Sequence, residues 1–212
     1  MAYTVPMETL AKLFGGQARI KIMRLFLLNE DQVFSIDDIV SRSRVMRPSA
    51  RREVNSLLSL GFIKSKTITV TGSRGSKKKF PGYIINTDFQ YLKPIKDLLI
   101  DPNLLLHEDV IQKFKPAGKI KLMIVAGVFI GNTESRADIM IVGDKLKRNI
   151  IQQVVKGLEA EIGKELNYVV FDTSEFIYRM DMYDKLVLDI IDFPHSKLVD
   201  TGQLSTYIAK NY

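Results

Sequence analysis

Asp138 and Met140 stand two residues apart in the stretch Val125–Asp144, VAGVFIGNTESRADIMIVGD. On a strand, residues i and i+2 share a face. Two carboxylates so placed would hold a divalent cation, which phosphoryl and nucleotidyl transfer use to neutralise triphosphate charge and align the nucleophile. Mg²⁺ wants carboxylate oxygens in near-octahedral geometry, and the thioether of Met140 is a poor ligand for it. One carboxylate of such a pair is therefore present. Gly127 permits a tight turn with exposed N–H groups, and Asn132, Thr133, Ser135 and Arg136 line the loop after it. Together with Asp138 and Asp144 they form a candidate pocket for a nucleotide or other small anion. No catalytic residue, metal site or cofactor is expected.

A second chemistry lies upstream. Arg42 to Lys79 holds eleven basic residues against one acid, Glu53. Residues 1–100 carry 17 Lys+Arg and 8 Asp+Glu, whereas residues 101–212 carry 14 and 16. A basic first half beside a slightly acidic second half points to a polyanionic partner for the first. Within Pro48–Leu60, Ser49, Arg51, Arg52, Asn55 and Ser56 fall on the face away from the apolar residues. Arg pairs bidentately with guanine and Asn with adenine. Ser49 and the N–H groups at this helix start suit a phosphate. Arg47 sits at the helix entry, and Arg42 and Arg44, on the preceding turn, suit backbone contacts. Arg74, Lys77, Lys78 and Lys79 make a basic hairpin tip. Double-stranded DNA is the expected partner.

These residues need elements to position them. Ile20, Met23 and Leu27 set a helix over 17–28. Ser35 and Asp38 resemble a capping box for a helix over 36–44, with Asp in place of Glu. Pro48 suits a first helical turn. Ala50, Val54, Leu57 and Leu58 form the buried stripe of that helix, and Gly61 stops it. Residues 62–70 and 79–86 predict two strands around a turn over 71–76, with Pro81 implying an edge or bulge. A helix over 89–100 and a linker at Asp101-Pro102-Asn103 follow. The second half alternates: strands over 119–130 and 136–142, a helix over 148–162, a strand over 166–171, a helical stretch over 174–191 and a short strand at 197–199. The fold class expected is α+β, with domains 1–100 and 101–212, the second a small α/β domain with a mixed sheet.

The 212 residues include no Cys, which excludes disulfides and thiolate metal sites. His107 and His195 are too few and too scattered for a zinc cluster. No apolar run reaches about 18 residues, so no membrane span is expected. The start MAYTVPMETL lacks a basic and apolar leader, and a cytoplasmic location is expected.

LFGGQARIKIMRLFLLNE, RPSARREVNSLLSLGFI and GYIINTDFQYLKPIKDLLI together resemble the winged-helix domains of prokaryotic transcriptional regulators of the arsenic-repressor-like type. The resemblance implies DNA binding as a homodimer, paired through the opening and last helices of the domain. Val125–Asp144 and ELNYVVFDTSEFIYRMDMYDKLVLDIIDFPHSKLVD resemble the DNA polymerase β-type nucleotidyltransferase fold, in its minimal form. That family places a Ser where Val128 stands, a second Asp where Met140 stands, and a third carboxylate on the strand after the helix. Asn167–Phe171 offers none, and Asp144 and Asp172 lie outside the motif positions. The expectation is a transcriptional regulator whose inactive transferase-like domain senses a ligand or mediates assembly. The alternatives are an antitoxin-like nucleotidyltransferase acting on protein or RNA, and a partner-binding adaptor.

Overall fold

The computed structural model describes residues 7–71, 77–101, 109–132 and 135–211. It is an α+β protein with a mixed sheet. The chain forms two compact units, Met1–Leu104 with Leu158–Lys164, and Leu105–Gly157 with Glu165–Tyr212.

The first unit begins with α1 (Met7–Phe14) and α2 (Gln17–Leu27). The apolar spacing at Ile20, Met23 and Leu27 understates α2, since Ile22 and Arg24–Phe26 are buried as well. α3 (Ile36–Ser43) starts at a complete capping box. The Asp38 N–H donates to Ser35 Oγ at 3.2 Å, and the Ser35 N–H donates to Asp38 Oδ2 at 2.8 Å. Asp thus does the work Glu usually does there. Arg44 ends α3 in the left-handed region, φ 52°, which turns the chain into α4 (Arg47–Ser59) with Pro48 in its first turn. α4 buries Ala50, Val54 and Leu57 against Ile20, Phe26, Ile39 and Phe62. Gly61 stops α4 as expected: it follows the C-cap Leu60 in the left-handed region, φ 74°, its N–H donating to Leu58 O and that of Phe62 to Leu57 O, both at 3.0 Å.

β1 (Ile63–Thr71) and β2 (Lys77–Ile85) form an antiparallel hairpin, with Pro81 opposite Thr67. A two-stranded ribbon has only edge strands, so the N–H that Pro81 lacks is tolerated. Phe34 bridges Tyr83, and its ring meets Phe26 edge-on at 5.6 Å. α5 (Leu92–Leu99) ends the unit's first segment, beginning three residues later than the sequence pattern predicts.

One charge lies deep in this core. The guanidinium of Arg24 donates from Nε to Leu99 O at 2.8 Å and from Nη1 to Glu161 O at 3.1 Å. Nη2 has no hydrogen-bond partner among the described residues. Burial pulls its pKa well below the ordinary arginine value, to about 10, opposed by the Glu161 carboxylate.

The second unit runs α6 (Asp109–Phe114), a 3₁₀ turn (Lys115–Ala117), β3 (Lys119–Val125), a 3₁₀ turn (Gly127–Ile130), β4 (Ile139–Asp144), α7 (Arg148–Ile162, whose residues from Leu158 belong to the first unit), β5 (Tyr168–Asp172), α8 (Thr173–Asp181), α9 (Lys185–Asp192), β6 (Ser196–Asp200) and α10 (Gln203–Asn211). The strand order is β5-β4-β3-β6, parallel only between β4 and β5. Leu122, Ile124, Met140 and Val142 share a core with Phe176, Met180, Val187, Ile190 and Leu204 of α8–α10. The alternate residues Met123, Val125, Ile139 and Ile141 point the other way and are equally buried. A sheet buried on both faces explains the near-continuous apolar runs of β3 and β4.

Some boundaries of the second unit depart clearly from the sequence pattern. The strand expected over 119–130 stops at Val125, because Gly127 takes φ +57° and opens a 3₁₀ turn. The strand expected over 136–142 begins at Ile139. The helical stretch over 174–191 is two helices, broken where Tyr183 takes φ 53° and Asp184 caps α9 by accepting the Leu186 and Val187 N–H groups. Among the described residues, no helix is long and apolar enough to cross a membrane.

Candidate functional site

The basic face of the first unit is built on α4. Its buried residues leave Arg51, Arg52 and Asn55 exposed, with Ser49 half-buried near the helix start. Arg51 forms no ion pair among the described residues. Arg52 leans toward Glu53 at 3.4 Å while its side chain stays 75% exposed. Arg44 is exposed at the α3–α4 turn. Arg47 is paired with Asp37, and Arg42 lies over the Phe34 ring at 5.3 Å. These two are therefore held by the protein itself. Lys79 is exposed on β2. Lys77 and Lys78 belong to β2, but their side chains, and the whole of Arg74, lie outside the described residues.

Charge spacing did not reveal what aims this helix. Glu53, the lone acid in the basic run, is buried on the inner side of α4. It accepts Arg19 Nε of α2 at 2.7 Å, and Arg19 Nη2 donates to Ser56 Oγ at 3.0 Å. One guanidinium thus fastens α4 to α2 over its middle turns, using charge-assisted bonds that are stronger and more directional than neutral ones. The partners are 34 residues apart, so no local pattern announces the pair. An acid among arginines was the available signal.

In the second unit the Val125–Asp144 stretch is also closed on itself. Asp138 is buried at 6% exposure. Its Oδ1 accepts the Val128 N–H at 3.0 Å and its Oδ2 accepts the Asn167 N–H at 2.9 Å. The carboxylate therefore ties the 3₁₀ turn after β3 to the segment entering β5. The Gly127 N–H donates to Ser135 Oγ at 3.1 Å, and the Phe129 and Asn132 N–H groups donate to Ala126 O and Gly127 O. Those N–H groups have partners within the turn. Met140 is buried with α8–α10 rather than facing an open cleft.

The remaining residues of this stretch are dispersed. Asn132 is half-buried, Thr133 lies outside the described residues, and Arg136 pairs with Asp189 of α9. Asp144 sits at the far end of β4, where Lys121 Nζ approaches Oδ2 at 2.8 Å and Thr173 Oγ1 donates to Oδ1 at 2.6 Å. The Lys121 hydrogen bond, then the Thr173 one, hold its carboxyl below the usual range. Asp138 and Asp144 thus occupy opposite ends of one strand and do not converge. Among the described residues, no group of three or more His, Asp or Glu is arranged to hold a metal. His195 Nδ1 lies 2.9 Å from Phe193 O, and His107 is outside the described residues.

No protein-family model matches the chain, and no curated protein matches it.

Proposed function

We propose that the chain is a cytoplasmic, homodimeric, DNA-binding transcriptional regulator. Its first hundred residues act as a winged helix, with α4 in the major groove and the β1–β2 hairpin as the wing. Its second domain derives from a nucleotidyltransferase that has lost its metal chemistry and now senses a ligand or mediates assembly.

One observation carries the reading. α4 buries Ala50, Val54 and Leu57 and leaves Arg51, Arg52 and Asn55 outward, the side chains that match guanine and adenine edges. The Arg19–Glu53 clamp supports it, since base readout needs a helix held in one orientation. The buried, backbone-bonded carboxylate of Asp138 supports the non-catalytic half. It is buried, accepts an N–H group on each oxygen, and among the described residues no group of three or more His, Asp or Glu surrounds it to hold a metal.

Selection from a random duplex DNA pool at near-physiological salt tests the proposal. The expected result is an inverted repeat with half-sites about one helical turn, or a multiple of it, apart. A pool that returns no enriched sequence rejects it.

A further inference from the structure

We propose that the cleft beside the Lys115–Ala117 turn binds a small amphipathic carboxylate of the short-chain aliphatic type. The cleft lies wholly in the second unit, between that turn and strands β3 and β6, with a volume of about 260 Å³. Its lining includes the buried side chains of Phe114 and Met123 and the half-buried Ile120 and Val199. Those half-buried residues still expose apolar surface, and covering it is the driving force for an aliphatic chain. The volume lies below the roughly 300–1,000 Å³ of pockets that enclose drug-sized ligands. That limits the guest to a short chain.

The charge of the guest follows from the rest of the lining. Lys115 and Lys119 are exposed residues of the cleft, and among the described residues no carboxylate lines it. Neither lysine forms an ion pair among the described residues. Asp144 is the acid whose field Lys119 reaches, but its two oxygens are held by Lys121 and Thr173. Lys119 is therefore not committed to it. An apolar lining with two uncommitted ammonium groups selects an apolar body bearing one negative charge. The Lys115–Ala117 side is fixed in place, because the Lys147 N–H donates to Ala117 O at 2.7 Å. The residues of this cleft are separate from the Gly127–Arg136 loop. The inference supplies a ligand class for the second domain without depending on the DNA-binding reading, and either stands if the other fails.

Titration of the full chain with sodium octanoate, followed by methyl NMR, provides the test. Saturable shifts are expected at the methyls of Ile111, Ile120, Met123 and Val199, with Ile39 and Val54 of the first unit unmoved. Lys115→Gln with Lys119→Gln should raise the Kd by roughly threefold to tenfold for two exposed charges and remove the salt dependence. Val199→Trp, and separately Ile120→Trp, should block binding, each checked for an unchanged first-unit spectrum. Neutral octan-1-ol should bind more weakly than octanoate by a similar factor. The proposal is overturned by shifts that do not saturate or that fall elsewhere, by equal binding of octanol, or by both folded Trp variants retaining octanoate affinity.

Discussion

A Cβ on Gly127 would stand 2.0 Å from Oδ1 of Asp138. The glycine that opens the turn and the carboxylate at the start of the next strand are thus one packed unit. Gly127 supplies φ +57° and the absence of a side chain. Asp138 supplies the acceptors that hold the Val128 and Asn167 N–H groups. Here the carboxylate holds the turn together.

Asp138→Asn is therefore expected to act on stability. The amide would turn one donor toward a buried N–H, leaving it unsatisfied at a cost of about 1–3 kcal/mol. Urea unfolding of the second domain, followed by its methyl NMR signals, measures this. A variant as stable as the wild type would mean that the carboxylate does not hold the turn.

Arg24→Ala should lose more. It leaves a cavity in the first core and frees the carbonyls of Leu99 and Glu161, a combination worth about 3–5 kcal/mol. The pH dependence has a definite sign. Burial lowers the Arg24 pKa to about 10 in the folded chain, so the unfolded chain binds the proton more tightly. This group alone makes stability rise as pH climbs above about 10, and the rise should vanish in Arg24→Met. Denaturant midpoints of the two proteins across that range decide it.

Arg51→Ala with Arg52→Ala should weaken duplex binding by about 1–3 kcal/mol if either makes a bidentate base contact, and relax sequence preference. Lys79→Ala, on the hairpin, should instead reduce the salt slope by about one unit with the preference kept. Fluorescence anisotropy over a salt series separates the two behaviours. Unchanged binding by a folded double-Arg variant would remove α4 from the interface.

Lys121→Met should return Asp144 toward the ordinary carboxylate pKa, about 3.9, because the hydrogen bond from Lys121 is the largest cause of its lowering. The folded pKa lies below the unfolded one. The stabilisation is therefore present above about pH 4 and is lost as pH falls through the folded value. A carboxyl-carbon NMR titration reads the change directly. An Asp144 resonance that titrates identically in both proteins would contradict the assignment.

Much of the first unit was legible because its signals are local. Ser35 and Asp38 cap a helix three residues apart, Pro48 marks a first turn, and Ala50, Val54 and Leu57 repeat at helical spacing. The alternation of apolar runs and helices gave the α+β class of the second unit. Its boundaries were less legible. Val125 continues into Ala126, Gly127 and Val128 with no break in apolar character, and only the backbone conformation at Gly127 ends the strand. The break at Tyr183 was hidden in the same way, since its left-handed φ has no compositional mark.

The sequence by itself determined which side chains were available: one carboxylate at 138, a thioether at 140, and a basic run broken by a single acid. It also determined which faces of the helices are apolar, because that periodicity is written in neighbouring residues. Only the tertiary structure decided their use. Asp138 became an acceptor for N–H groups ten and 29 positions away in the chain, and Glu53 became the anchor of Arg19. Asp144 met Lys121 and Thr173 at the far end of the sheet. Each of these outcomes depends on which segments the fold brings within hydrogen-bond reach, and short-range spacing carries no record of that.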